Sequence, residues 1–215
     1  MSEKPMTRTN ESTSRAPQGM GTVRLATRYF ASYVHRRRRH KSGIFDADLY
    51  RKSNLDDWEL AAVFCAAGTR IEFDIAVSDY KRSLVRVDGI QRTARQLLDS
   101  ATATSGPFTR VWTRPPNPRT TRPYIGTGYC TVYENRRSRT LAFDRDAFGR
   151  HLLRDHDLLA VIKARGRRDL WFRFTRPNQE PSVLEADDHA WTAEQLLNGE
   201  AEDSGLAKLV WERPQ

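Results

Sequence analysis

The chain has 215 residues, 38% apolar and 29% charged, which is enough hydrophobic side chain for one or two globular domains and excludes a collagen-like or wholly disordered polymer. The longest uninterrupted apolar run, Leu60–Ala67, is far too short to cross a bilayer, and Met1–Met20 holds no apolar signal region, so no membrane span and a cytoplasmic location are expected. The net charge of +9 rests on 30 arginines and only six lysines, a skew that GC-rich coding also produces; its distribution says more, with +8 on residues 1–117 and +1 on residues 118–215, an imbalance that points to an interaction surface.

In chain order, residues 1–20 are rich in Ser, Thr, Pro and Asn without apolar periodicity and read as a disordered basic tail. Thr22–His35 alternates as a strand, with Tyr29, Ala31 and Tyr33 on one side and Phe30 and Ser32 on the other. A basic turn follows, Arg36-Arg-Arg-Arg-His-Lys41, and then a short strand over Gly43–Asp46, so the two strands form a hairpin with a basic tip. Asp46–Arg51 reads as a short helix. Trp58–Ala67 accepts either a helix closed by Gly68 or a strand, because runs this short are not settled by periodicity; strand is the preferred reading. Arg70–Val77 and Ser83–Val87 are strands rich in β-branched and aromatic residues, parted by a turn over Asp79–Arg82. Ile90, Ala94, Leu97, Leu98 and Ala101 fall on one helical face, and Thr93-x-x-Gln96 fits a capping box; the helix start is expected between Asp88 and Thr93. Thr109–Thr113 is a last strand, ended by Arg114-Pro115, and Pro115–Arg119 is a linker.

The same order then repeats. Ile71–Pro115 lies without a gap on Leu170–Pro214, with 14 of 45 positions identical, among them Phe73/Phe172, Asp88/Asp187, Thr93/Thr192, Gln96/Gln195, Trp112/Trp211 and Arg114/Arg213. Upstream, Tyr29 and Tyr33 answer Tyr129 and Tyr133, the basic turn answers Arg136-Arg-Ser-Arg139, and Phe45-Asp46-x-Asp48 answers Phe143-Asp144-x-Asp146. Thr140–Asp144 then reads as a strand, Asp144–Leu153 as a short helix, and Leu158–Ala164 as the counterpart of the Trp58–Ala67 run. The expected fold is therefore α+β: two pseudo-symmetric repeats, residues 21–117 and 118–215, each an antiparallel sheet of four to five strands packed on one helix. Such a tandem resembles whirly- and PUR-type folds. Cys65 and Cys130 occupy non-equivalent places and read as buried free thiols.

Arg122-Pro-Tyr-Ile, Tyr129-Cys-Thr-Val-Tyr133, Thr140-Leu-Ala-Phe-Asp-Arg-Asp-Ala-Phe148 and a helix ending in Gln195-Leu-Leu together resemble the SsgA-like family, and Ile44-Phe-Asp-Ala-Asp-Leu49 echoes it in the first repeat. The resemblance covers about half of the chain and implies a whirly-like fold and a non-enzymatic regulator of sporulation septation and cell division in GC-rich bacteria. Two features depart from the family: Arg154-Asp-His-Asp-Leu158 stands where its glycine-aspartate turn would be, and its members are normally single-copy.

Candidate chemistry centres on arginine. Arg36, Arg37, Arg38, Arg39 and Lys41, with Arg136, Arg137 and Arg139 in the second turn, are placed to grip phosphates, with Tyr29 and Tyr33 beside them to stack bases; a solvated hairpin tip with tyrosines in the sheet accounts for the same residues. Arg92 and Arg95, with Lys81, Arg82 and Arg86, make the first helix region basic. Its counterpart carries Glu180, Glu185, Asp187, Asp188, Glu194, Glu200, Glu202 and Asp203, with no Lys or Arg between Arg176 and Lys208. Histidines 35, 40, 151, 156 and 189 show no metal spacing, and the Asp46/Asp48 and Asp144/Asp146 pairs fit helix capping better than a divalent ion. There is no glycine-rich phosphate loop, no Gly-x-Ser-x-Gly and no Cys/His dyad, so no catalytic residue, metal or cofactor is expected. Three readings of function follow, in this order: a non-catalytic adaptor acting through protein contacts or as a homo-oligomer, a basic nucleic-acid-binding protein, and a metal-dependent hydrolase.

Overall fold

The computed structural model describes residues 21–24, 28–37, 43–49, 57–75, 83–115, 127–144, 155–165, 170–173 and 182–215. Among them the protein is mostly antiparallel sheet with three short helices. One sheet runs β1 (Gly21–Arg24), β5 (Ile71–Ile75), β6 (Leu84–Val87), β7 (Ile90–Thr93). A five-stranded sheet runs β3 (Gly43–Phe45), β2 (Tyr29–His35), β4 (Trp58–Ala66), β9 (Phe108–Thr113), β8 (Thr104–Ser105). A third runs β11 (Leu141–Phe143), β10 (Thr127–Asn135), β12 (His156–Arg165), β16 (Ala207–Glu212), and the last runs β13 (Leu170–Arg173), β14 (Val183–Ala186), β15 (His189–Trp191). The helices are α1 (Asp46–Leu49), α2 (Ala94–Asp99) and α3 (Ala193–Leu197).

Registers recur along the chain. Pairing of β2 with β4 is interrupted by a bulge between Ser32 and Tyr33, and pairing of β10 with β12 by one between Val132 and Tyr133. A second bulge interrupts β4 and β9 between Val63 and Phe64, and another interrupts β12 and β16 between Val161 and Ile162. The turns into β7 and β15 both use positive φ, 46° and 87° at Asp88 and Gly89, 45° and 69° at Asp187 and Asp188. Thr93 and Thr192 each cap a helix through a reciprocal box with Gln96 and Gln195, satisfying two backbone N–H groups that the first turn leaves open.

Two clusters form the core. Phe30 lies 5.5 Å from Phe45, 5.7 Å from Phe64 and 6.3 Å from Phe108, ring centre to ring centre, on one face of β2. Tyr133, Leu158 and Val161, from the C-terminal half of the chain, belong to this same cluster. The second cluster is built from Cys130, Val132, Phe143, Ile162, Leu184, Trp191 and Leu196, among others. Phe30, Ala31, Ser32 and Tyr33 are all buried, so β2 has no solvent face, and β4 and β12 are nearly as enclosed. A strand enclosed on both faces need not show a period of two, which is why Trp58–Ala67 also accepted a helix. β4 and β12 are both strands, as preferred from the sequence. Cys65 and Cys130 are free thiols.

Three expectations need correction. The strands fall into four sheets, where one sheet per repeat was expected. Thr22–His35 is not one strand: β1 pairs with β5, whereas β2 pairs with β3 and β4 in another sheet. A period-two pattern carries no information about a change of sheet. The amphipathic stretch from Ile90 begins as strand, because the Asp88–Gly89 turn folds β7 back on β6 and the helix starts only at Ala94. Ile90 is 42% exposed, off the helical face that the sequence assigned it. Residues 1–20, 38–41, 81–82 and 145–154 lie outside the described residues, and with them the tail, most of the first basic turn and much of the second short helix.

The passage from β4 to β5 depends on a close approach. A Cβ on Gly68 would fall 2.2 Å from Val87 Cγ1 and 2.7 Å from Asp88 Oδ2, while the Asp88 carboxylate accepts hydrogen bonds from the Thr69 and Arg70 nitrogens, each at 3.0 Å. Val87 is fully buried and has nowhere to move. Gly68→Ala is therefore expected to destabilise the fold by about 1–3 kcal/mol, read as a lowered midpoint in urea with an unchanged slope. A midpoint equal to that of the parent protein would show that the approach is not constrained.

Candidate functional site

Antiparallel pairing of β2 with β3, and of β10 with β11, puts a basic turn at the end of each hairpin. In the first, the Arg36 nitrogen donates to the Asp57 carbonyl oxygen and its guanidinium lies 3.6 Å from Glu59. Glu59 also takes Arg114 at 2.9 Å. In the second, Arg136 meets Asp157 at 3.1 Å and Arg139 meets Glu134 at 2.9 Å, with Arg213 at 2.9 Å on the same Glu134. Asn135 Oδ1 accepts from the nitrogens of Arg137 and Ser138, which closes the turn. The three carboxylates are shielded, with 11–15% side-chain exposure, and they lower the positive potential at both tips. Arg37 and Arg137 are exposed and meet no carboxylate among the described residues. Arg38, Arg39 and Lys41 lie outside those residues.

Away from the tips, Arg92 donates to the Gln91 carbonyl oxygen at 2.8 Å, and Arg95 pairs with Asp99 one turn along α2. Arg86 sits 4.0 Å from Glu72, which is held more closely by Arg70 at 2.6 Å. Among the described residues no group of three His, Cys, Asp or Glu side chains could hold a metal ion.

Of the stacking platform expected from sequence, Tyr33 is inaccessible and Tyr29 is half-buried. Tyr33 is 4% exposed, and the Tyr29 ring is occupied by Trp211 at 5.6 Å. The reciprocal pair, Trp112 on Tyr129 at 5.5 Å, has nearly the same tilt, 56° against 53°, and Arg114 lies 5.2 Å above the Tyr129 ring. These contacts join the two halves of the chain.

Between them lies a buried polar group that sequence reasoning missed. Tyr33 Oη and Thr131 Oγ1 are 3.0 Å apart, and Tyr133 Oη donates to Asp46 Oδ2 at 3.3 Å. Asp46 also accepts from the Ala31 nitrogen at 2.9 Å, and Asp144 accepts from the Thr131 nitrogen at 3.4 Å. The capping role expected for the aspartates thus divides. Asp48 accepts from the Phe45 nitrogen at the start of α1, and from Ser83, whereas Asp46 turns inward to β2 and β10. The signal was present as the repeated Tyr-to-Phe-Asp spacing, but nothing in it says that the tyrosine of one half meets the aspartate of the other.

Burial, and then the nearby Asp144 carboxylate, push the Tyr33 hydroxyl well above the usual tyrosine range; burial and the neighbouring Tyr33 do the same to Tyr133. Burial and Cys65 raise Tyr29 as well.

Compared with protein-family models, with curated proteins and with solved structures, the chain matches none closely enough to be assigned a family.

The raised tyrosines fix a sign. The folded state keeps the phenols protonated where the unfolded chain, with tyrosines near about pH 10, would release them, so stability is full below about pH 10 and falls as pH rises above it. Urea midpoints measured from about pH 8 to about pH 11 are expected to fall steeply at the alkaline end, and Tyr33→Phe/Tyr133→Phe to flatten that fall. At neutral pH, Tyr133→Phe removes a hydrogen bond to a carboxylate, and a loss of about 1.5–3 kcal/mol is expected. An alkaline slope identical in parent and double variant would show that these hydroxyls are not the buried groups that titrate.

Proposed function

We propose that the chain is a tandem duplication whose two copies form one pseudo-two-fold body, and that it acts without catalysis, through protein contacts, as a regulatory adaptor of the kind to which the SsgA-like resemblance points. The duplication is supported by the matching bulges in β2–β4 and β10–β12, by the shared turn geometry at Asp88 and Asp187, and by the reciprocal Tyr29–Trp211 and Trp112–Tyr129 contacts. On this reading α2 and α3 are equivalent, each set by its capping box beside the sheets of its own copy.

The observation that carries the functional reading is the direction in which the repeated residues point. Tyr33, Tyr133, Phe45, Phe143, Leu97 and Leu196 are spent on the interior. The segments that bear the family resemblance, β10, β11 and α3, contribute buried packing residues, and the polar groups that converge on β10, Thr131 and Tyr133 with Tyr33 and Asp46, are themselves buried. What remains for function is the outer surface, where the two copies differ in charge. Surface charge that varies over a shared scaffold suits partner choice more than chemistry.

A second reading, nucleic-acid binding, is favoured by one feature: Arg37 and Arg137 occupy matching places in the two basic turns, exposed and without an acidic partner among the described residues. Anisotropy titration of labelled single-stranded and duplex DNA separates the two. The adaptor reading expects no saturable binding near about 0.1 M salt, where a phosphate-gripping protein still binds. Saturable binding that weakens with salt and is lost in Arg37→Ala/Arg137→Ala would replace it with the second reading. In the producing cell, cross-linked capture of the intact chain is expected to enrich septum or division proteins over a matched control. Enrichment of nucleic acid alone would count against the adaptor.

A further inference from the structure

Two strands that end their sheets, β7 and β15, differ in charge: β7 carries Arg92, whereas β15 holds no cation and is flanked by Asp188 and Glu194. No described strand pairs with their outer sides. Along β7, Ile90 and Gln91 are exposed, and Ile90 is one of only two exposed large hydrophobic side chains among the described residues. Next to them the Arg92 guanidinium donates to the Gln91 carbonyl oxygen and meets no carboxylate among the described residues. Along β15, His189 and Ala190 are exposed. Asp188 at the turn before it and Glu194 in the first turn of α3 are exposed too, and neither meets a cation among the described residues. Glu200, Glu202 and Asp203, after α3, are exposed as well, and the sequence has no Lys or Arg from 177 to 207.

We propose that the β7 edge of one molecule docks on the β15 edge of a second copy of the same chain. This deepens the protein-contact reading, on which it rests, by naming the partner and the two surfaces. The occupant follows from charge complementarity. The basic edge with its exposed isoleucine needs an acidic, partly apolar counterpart, and the same chain presents one on the corresponding strand of its other half. Because different surfaces meet, the contact is head-to-tail, and each added molecule leaves both edges open at the ends of the chain of copies. The net charge of +9 makes whole molecules repel, so association is expected at moderate rather than very low salt: near about 0.1 M the Debye length is about 10 Å, which screens the distant charges and leaves a direct contact largely intact.

Sedimentation velocity of the full chain tests this. Near about 0.1 M salt the mean mass is expected to rise with concentration beyond that of a dimer, and near about 1 M salt, where the Debye length is about 3 Å, to return to that of a single molecule. Arg92→Glu and Glu194→Arg are each expected to weaken association at least about tenfold, the loss of about 1.4 kcal/mol that a reversed contact charge brings. An equal mixture of the two variants restores opposite charge at both kinds of contact, the original and the reversed, and is expected to assemble beyond dimers again. The doubly reversed Arg92→Glu/Glu194→Arg chain is expected to assemble again. Thermal midpoints close to that of the parent show that each variant is folded. A single-molecule mass at every concentration near about 0.1 M salt, or association indifferent to both reversals, overturns the proposal. A chain that never self-associates yet still enriches septum proteins would overturn the docking and leave the adaptor reading standing.

Discussion

The structure depends on covering the second face of β2 and β4. Phe30 and Phe64 fill one side against Phe45 and Phe108, and the other side would be left as an open apolar sheet if the chain ended there. Tyr133, Leu158 and Val161 close it from β10 and β12. Burial of sheet faces on this scale is worth more than any single ion pair on the surface, at about 25 cal/mol per Å² of apolar area. Purely apolar faces, however, pack in several rotations and offsets. The Tyr133–Asp46 and Tyr33–Thr131 hydrogen bonds are directional, and inside a low-dielectric interface a misaligned phenol or carboxylate is costly. The polar group thus selects one arrangement of the two sheets from those that burial alone would allow.

The bulges belong to the same constraint. Each pair of long strands, β2 with β4 and β10 with β12, is interrupted just before the tyrosine that reaches across, Tyr33 or Tyr133. An extra residue on the partner strand bends the sheet and re-aims the side chain. A bulge also interrupts the pairing of β9 and of β16, strands at or beside the margins of their sheets, where such irregularities make an edge a poorer template for adding a further strand. Trp112 and Trp211, next to those bulges, then turn onto Tyr129 and Tyr29.

Much of the local structure was legible in the sequence because its causes are local. The capping boxes at Thr93 and Thr192, the basic turns between paired strands, and the strands β6, β9, β14 and β16 follow from side chains that act within a few residues. The Thr93 box marked the start of α2, but Ile90 was also counted into the helix because a helical hydrophobic face was weighed above Asp88–Gly89, a pair whose positive φ values favour a tight hairpin. The break between β1 and β2 and the division into four sheets were not legible, since pairing partners are chosen by tertiary contacts and leave no mark on period. For the candidate site the residue types were readable but their use was not. Tyr33 looks the same in sequence whether it stacks on a base or lies buried against Thr131, and Arg136 the same whether it faces a phosphate or Asp157.

The division between an inward-facing repeat and an outward-facing difference bears on how such a molecule changes function. Residues of the interface are coupled across the two halves: a change at Tyr33 alters the surroundings of Thr131 and Tyr133 at once, so single substitutions there are felt twice. Outward positions such as the half-buried Arg92 and the exposed Glu194 make no hydrogen bond or ion pair across the two halves among the described residues, so folding leaves them free to vary singly. On the proposed tandem reading, a scaffold built this way holds its shape while its two outer surfaces come to differ in charge. On that reading the difference gives a pseudo-symmetric body two distinct ends, and a body with distinct ends has a direction. Direction is the property that a symmetric pair of identical domains lacks, and it is what unequal halves would supply if the proposed duplication holds.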